Sequence, residues 1–165
     1  MQREHGWSPA EFSALFLIAG SVGVLGTMAG GRGSDRFGRR RVGFWFFVLA
    51  PPFAALFYTG SASILGVAWA LWILCISAGV VVLRTFVAEL FGEEQRGASI
   101  GWLYATQTLG ATLGLVTIGT ATSAGLDFVS AVTAISFGTA LAGVALLLLP
   151  ETTTRSSAAT READG

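Results

Sequence analysis

Long apolar stretches alternate with short polar ones along the whole chain. Five of the apolar stretches are close to or longer than the roughly 20 residues that a helix needs to cross a bilayer. Pro9 after Ser8 is typical of a helix start, and Pro150 is typical of a helix end. Pro51 and Pro52 should kink the second helix. The pattern predicts helices over residues 9–29, 42–58, 63–91, 98–122 and 126–149.

The fold class that follows is all-α, a polytopic transmembrane protein with five spanning helices. The composition agrees, because 53% of the residues are hydrophobic and 12% are charged, whereas soluble domains carry about 25% charged residues. The lipid bilayer is therefore an expected partner. We expect three regions: an outside segment over residues 1–8, a five-helix transmembrane domain over 9–150, and a disordered cytoplasmic tail over 151–165.

Arginines predict the side of the membrane on which each connection lies, because basic residues are retained in the cytoplasm. Arg96 lies in the third connection, and Arg155 and Arg161 lie in the tail. The second and fourth connections contain no basic residue, whereas the first holds arginines at 32, 36, 39, 40 and 41. The N-terminus is therefore predicted outside and the C-terminus in the cytoplasm, in a bacterial inner membrane. No signal peptide is recognisable, so this topology is expected if a preceding helix is missing.

Few residues outside these connections offer chemistry. Cys75 is the only cysteine and lies in an apolar run, and His5 is the only histidine. We therefore expect no disulfide, no metal site and no catalytic triad. The net charge is zero, which gives no argument for a nucleic-acid partner. No cofactor is expected, and an enzyme is the least favoured class.

The first connection has an ordered sequence in addition to its charge. Glycines at 31, 33 and 38 should allow a sharp reversal of the chain. The string resembles the signature loop of the major facilitator superfamily, which is a glycine, three residues, and then Asp-Arg-x-Gly-Arg-Arg. Gly33 stands where that family usually has leucine. The residues that carry the resemblance are Gly31, Asp35, Arg36, Gly38, Arg39 and Arg40.

Two further strings resemble parts of the same family. Glu89, followed seven residues later by Arg96, resembles its second inner-loop pattern. Pro150, Glu151 and Thr152 resemble the Pro-Glu-Thr sequence that follows the twelfth helix, especially in sugar porters. The resemblance implies that the chain corresponds to helices eight to twelve of a twelve-helix transporter. The missing N-terminal half of that transporter would be its partner.

The resemblance also implies a cytoplasmic charge network that holds one state of the transporter closed. Such ion pairs act only if they favour one conformation over another. Asp35 is expected to meet a helix start in the other half. The predicted network comprises Arg36, Arg39, Arg40, Glu89, Arg96 and Glu151.

A polar stripe in the fourth predicted helix is the candidate cavity lining. Gln107 is expected to be buried, with Tyr104 and Thr108 as its neighbours on the helix. These side chains are either substrate contacts or hydrogen-bonding links between helices. No Asp, Glu, Lys or His lies in the middle of a predicted helix, so proton coupling is not favoured. Arg84, near the inner end of its helix, is expected to extend towards the cytoplasm.

Small and aromatic residues have a packing interpretation. Gly26 with Gly30, and Gly110 with Gly114, have the spacing that lets membrane helices approach closely. Core packing is also the default for Trp69 and Trp72, two neighbouring aromatic side chains inside the third helix.

Two functions remain open from the sequence. The first is membrane transport of a small solute, a sugar or organic acid by analogy, through alternating access. The second is a non-transporting truncated membrane segment, or a packing partner of a separately encoded first half.

Overall fold

The computed structural model describes residues 8–150 and Thr152, without the side chains of residues 11, 12, 62 and 63. All regular structure in this part of the chain is helical, so the predicted all-α fold class is confirmed. The helices in chain order are α1 (Pro9–Phe37), α2 (Arg39–Thr59), α3 (Ala62–Leu90), α4 (Glu93–Ser123), α5 (Phe128–Ser136) and α6 (Gly138–Leu147).

Four segments are long and apolar enough to cross a membrane. They are Ser13–Phe37, Arg39–Thr59, Ile64–Leu90 and Phe128–Leu147, the last of which joins α5 and α6. With 31 residues, α4 is also long enough, but it is rich in threonine, serine and glycine and is less apolar. Four of the five predicted crossings are thus supported by length and composition, and the crossing by α4 stays a prediction.

The first helix differs most from its predicted bounds. The sequence placed its end at residue 29 and a sharp reversal at the glycines that follow, but α1 continues to Phe37. Gly31 and Gly33 are helical, so that part of the prediction is wrong. The chain turns at Gly38, whose φ of 94° favours a residue without a side chain. Continuing the helix keeps the backbone hydrogen bonds satisfied where water is scarce.

The last predicted helix is interrupted at Phe137 and forms α5 and α6 instead of one continuous helix. Phe137 keeps near-helical dihedral angles, φ −64° and ψ −18°. The N–H of Ala140 donates to the carbonyl of Phe137 at 3.0 Å, a bond of the 3₁₀ type. Gly138, a weak helix former, follows directly. At the start of α5, Asp127 is the N-cap and accepts from the Ser130 N–H at 3.0 Å.

The helix α3 packs against both α1 and α2. A Cβ atom at Gly26 would lie 2.5 Å from the carbonyl oxygen of Leu74, and one at Gly30 would lie 2.6 Å from that of Ala78. Only glycine allows α1 and α3 to approach this closely, so the packing prediction for this pair is confirmed. A Cβ at Gly110 or at its partner one turn on would meet nothing within 4 Å; this second predicted contact is not made within the described chain.

Two apolar clusters hold the helices together. Phe47, Phe86 and Leu146 join α2, α3 and α6. At the opposite end of the bundle, Phe57 packs on Trp69 with ring centroids 4.7 Å apart, and Trp69 packs on Trp72 at 5.1 Å. These two tryptophans lie in an aromatic cluster, as the packing interpretation expected.

The helix α4 lies at the periphery of the bundle. None of its residues is buried, and Trp102, Leu113 and Leu115 are 73%, 66% and 72% exposed. Its contacts with α3 and α5 leave one apolar face uncovered. That face is available to lipid or to further helices.

Candidate functional site

The side chain of Arg39 joins three helices at one end of the bundle. Arg39 is the first residue of α2 and is 7% exposed. Its Nε and Nη2 donate to the two carboxylate oxygens of Glu89 on α3, at 3.2 and 2.8 Å. Its Nη1 lies 2.6 Å from Oδ1 of Asp35 on α1. The two-bond geometry with Glu89 is the strong form of an arginine–carboxylate pair.

Two hydroxyl groups complete this cluster. Ser34 is fully buried; its Oγ accepts from Nη1 of Arg39 and donates to the carbonyl of Gly31 at 2.9 Å. Thr152, 7% exposed, donates to Oε2 of Glu89 at 2.6 Å. Thr152 therefore does not belong to a loose tail, although the sequence assigned it to one. We call the set of Ser34, Asp35, Arg39, Glu89 and Thr152 the Arg39 cluster.

Each charge in the Arg39 cluster lies at the helix end where the backbone dipole opposes it. Asp35 and Glu89 lie in the last turns of α1 and α3, where partial negative charge accumulates, and Arg39 lies at the positive start of α2. The two carboxylates and the guanidinium compensate for these unfavourable positions only when they are together. The cluster is therefore an electrostatic link between three helix ends.

This end of the bundle carries the glycine, aspartate and arginine string noted in the sequence. A model of the Major Facilitator Superfamily matches residues 1–164. The chain belongs to the major facilitator superfamily. No curated protein and no solved structure gave a significant match. Membership of this superfamily supports a membrane transporter. Asp35 and Arg39 of the Arg39 cluster belong to the string that resembles the signature loop.

The other arginines of the predicted charge network make contacts outside the Arg39 cluster. Arg40 donates from Nη2 to the carbonyl of Leu147, the last residue of α6. The guanidinium of Arg36 lies over the ring of Phe37, 5.4 Å from its centroid. Arg96 donates from Nε to the carbonyl of Ala88 at 3.3 Å. Arg96 thus contacts the backbone beside Glu89 and not its carboxylate.

Glu151, the remaining predicted member, lies outside the described residues. Among the residues that the structure does describe, no group of three His, Cys, Asp or Glu side chains could hold a metal ion. The chemistry that the Arg39 cluster offers is the making and breaking of ion pairs and hydrogen bonds.

The candidate cavity residues lie on α4, the peripheral helix. Tyr104 is 47% exposed, and Gln107 and Thr108 are also exposed. The expectation that Gln107 is buried is wrong within the described residues, where α4 is peripheral and has no buried residue. The hydroxyl of Thr108 donates to the carbonyl of Tyr104 at 2.9 Å, within the same helix. Neither the substrate interpretation nor the interhelical one is tested by these contacts.

Arg84 points in a direction that the sequence did not predict. Its guanidinium does not extend towards the end of α3 but lies over the ring of Tyr104, 4.9 Å from the centroid. Tyr104 is eleven residues into α4, about 16 Å from the start of that helix at 1.5 Å per residue. Nε of Arg84 is buried and has no hydrogen-bond partner among the described residues. Side chains on a helix tilt towards its N-terminus, which explains the direction.

Proposed function

We propose that the protein contributes to a secondary transporter that moves a small solute, a sugar or an organic acid, by alternating access. The Arg39 cluster acts in it as the cytoplasmic charge network that stabilises one of the two states. The observation that carries this proposal is a nearly buried arginine that two carboxylates from two other helices share. Breaking one such contact frees a helix end to move.

Unequal exposure of the two carboxylates supports a switching role. The side chain of Glu89 is 34% exposed and has both oxygens bonded, whereas that of Asp35 is 64% exposed. The open surface of Asp35 is suited to a second donor, which we propose is a helix start in the other half of the transporter. Arg39 would hold the network within this chain, and Asp35 would connect it to the partner.

The uncovered face of α4 supports a partner of the same kind. Its apolar side chains and the polar stripe at Tyr104 lie on a helix without buried residues. We propose that further transmembrane helices cover this face and that a solute cavity forms between them and α4. The arginine-rich end of the bundle would lie in the cytoplasm.

Within the two solute classes, Arg84 favours the organic acids. An ionisable residue inside a membrane-spanning segment indicates a functional site, because its burial is costly. A guanidinium held over an aromatic ring, with a buried Nε unbonded in this part of the chain, can bind a carboxylate of a solute.

The test is uptake of sugars and organic acids into liposomes. The chain is reconstituted alone and together with the polypeptide encoded immediately upstream. Solute uptake by either preparation, lost on replacing Arg39 with glutamine, is the expected result. No uptake by either preparation, with the helical content of both intact, would contradict transport and favour the non-transporting membrane segment.

A further inference from the structure

A cavity of about 570 Å³ opens between α1 and α2 beside the turn at Gly38. It is separate from the Arg39 cluster. Its lining includes Arg36 and Arg41, and its apolar wall includes Phe37 and Trp45, which are 62% and 58% exposed. A cavity of this volume is in the range of small-molecule sites. It combines two cations with an aromatic wall at the end of two membrane-spanning helices.

The cavity depends on a glycine that is unusual for the superfamily. Gly33 lines it, and a Cβ placed there would have a single neighbour within 4 Å, the side chain of Val42 at 3.7 Å. The signature loop of the family usually has leucine at this position, and a leucine side chain would extend into the space. Because Ala29 lines the cavity one turn earlier, small residues keep this side of α1 open. The cavity is thus expected in this chain and not in superfamily members that have leucine at the position of Gly33.

The two arginines of the cavity have no acidic partner in the described part of the chain. The described ion pairs at this end, from Asp35 and from Glu89, both go to Arg39. Arg36 lies over the ring of Phe37, which leaves its N–H groups available. Arg36 and Arg41 are both exposed and line the same cavity, so an anion between them would relieve their mutual repulsion. Arginine binds phosphate through two parallel hydrogen bonds.

We propose that this cavity binds an anionic phospholipid. The phosphate diester lies between Arg36 and Arg41, and the part of an acyl chain nearest the headgroup lies against Trp45. The ligand matches the cavity in three respects. It is negatively charged, as the two arginines require; it has an apolar part, as the aromatic wall requires; and it is present where these helix ends meet the membrane surface. Basic pockets between transmembrane helices on the cytoplasmic side are known to hold such headgroups. The proposal does not depend on transport.

Lipid in this cavity would also act on the neighbouring turn. Arg36 follows Asp35 directly, and Arg41 stands two residues after Arg39, so a phosphate between them joins the last turn of α1 to the first turn of α2. The bound anion would reduce the repulsion among the five arginines of this connection.

Tryptophan fluorescence tests the proposal on the full chain. The protein is placed in nanodiscs of phosphatidylcholine that contain increasing fractions of phosphatidylglycerol with bromine on carbons 6 and 7 of one acyl chain. Bromine quenches a tryptophan in contact, and the difference between the native chain and Trp45→Phe isolates the signal of Trp45. We expect half-maximal quenching at a several-fold lower fraction of brominated phosphatidylglycerol than of brominated phosphatidylcholine.

Variants connect the preference to the cavity. Arg36→Gln and Arg41→Gln should each weaken it about fivefold, and Gly33→Leu should remove the quenching by filling the space. Arg32→Gln is the matched control, because Arg32 is an exposed arginine of the same connection that does not line the cavity. Circular dichroism checks that each variant is folded.

Three results would overturn the proposal. Equal quenching by the two brominated lipids, or an unchanged preference in folded Arg36→Gln and Gly33→Leu, would mean that the cavity does not select anionic lipid. Loss of the preference on adding millimolar glycerol phosphate would assign the site to a soluble phosphate ester.

Discussion

Neutralising Glu89 should destabilise the protein far more than neutralising Asp35. Glu89→Gln keeps the shape of the side chain but removes the charge from two hydrogen bonds to Arg39, at 3.2 and 2.8 Å. Charge-assisted hydrogen bonds contribute about 1.5–3 kcal/mol each, and an amide can still accept one. Allowing for the one-third exposure of Glu89, we expect a loss of about 2 kcal/mol in the free energy of unfolding.

Asp35→Asn is the matched comparison, because the same guanidinium is its partner. The Asp35 side chain is 64% exposed, and ion pairs of exposed groups contribute about 0.5 kcal/mol. The free energy of unfolding is measured for both variants in mixed micelles by titration with sodium dodecyl sulfate. A cost for Asp35→Asn equal to or above that for Glu89→Gln would refute the assignment of Glu89 as the main partner.

Exchanging the charges tests the dipole argument within the same assay. With Arg39→Glu and Glu89→Arg combined, each charge lies at the helix end that favours it, but the carboxylate introduced at position 39 would repel Asp35. Adding Asp35→Asn removes that repulsion, and the triple variant should recover the stability lost by either single reversal. A triple variant as unstable as the single reversals would show that geometry, and not charge, governs this contact.

Three further predictions concern other contacts. Gly26→Ala should lower the free energy of unfolding by about 1–3 kcal/mol, because its Cβ would lie 2.5 Å from the Leu74 carbonyl oxygen. Gly110→Ala, with open space around it, should leave the free energy of unfolding unchanged. Equal effects of the two substitutions in thermal unfolding would contradict the packing of α1 on α3. Thr152→Val should cost about 1 kcal/mol in the same measurement, through the lost bond to the Arg39 cluster, and no cost would exclude that bond. Arg84→Gln should reduce uptake of organic acids but not of sugars; an equal effect on both would refute an anion site.

The helices could be predicted from the sequence because the bilayer sets their minimum length and apolar residues fill it. The ends of the helices depend on other terms. Glycine permits a reversal without requiring one, so Gly31 and Gly33 gave no sign that α1 continues. Of the three glycines in the signature-like string, only Gly38 has a positive φ. The short interruption at Phe137 could not be predicted for the same reason, since a weak helix former such as Gly138 does not by itself end a helix.

The candidate site was partly predictable for a similar reason. The arginine and acidic residues stood out by charge and by their resemblance to the signature loop, but the choice among partners is a matter of three-dimensional packing. Ser34 carried no signal beyond its position next to Asp35. The direction of Arg84 depends on α4 lying beside α3 with Tyr104 at the right height. The exposure of Gln107 likewise depends on which helices pack on α4, and no pattern within α4 reports it.

The Arg39 cluster also has an order of assembly during synthesis. Arg39 and Glu89 are separated by 50 residues along the chain, and Glu89 and Thr152 by 63. The ribosome therefore synthesises Asp35 and Arg39 first. Glu89 follows after α2 and most of α3, and Thr152 follows only after α6. Until then Glu89 lacks one of its donors. The cluster is therefore complete only after the last described helix has been synthesised, and a chain that stalls earlier lacks the bond from Thr152 to Glu89.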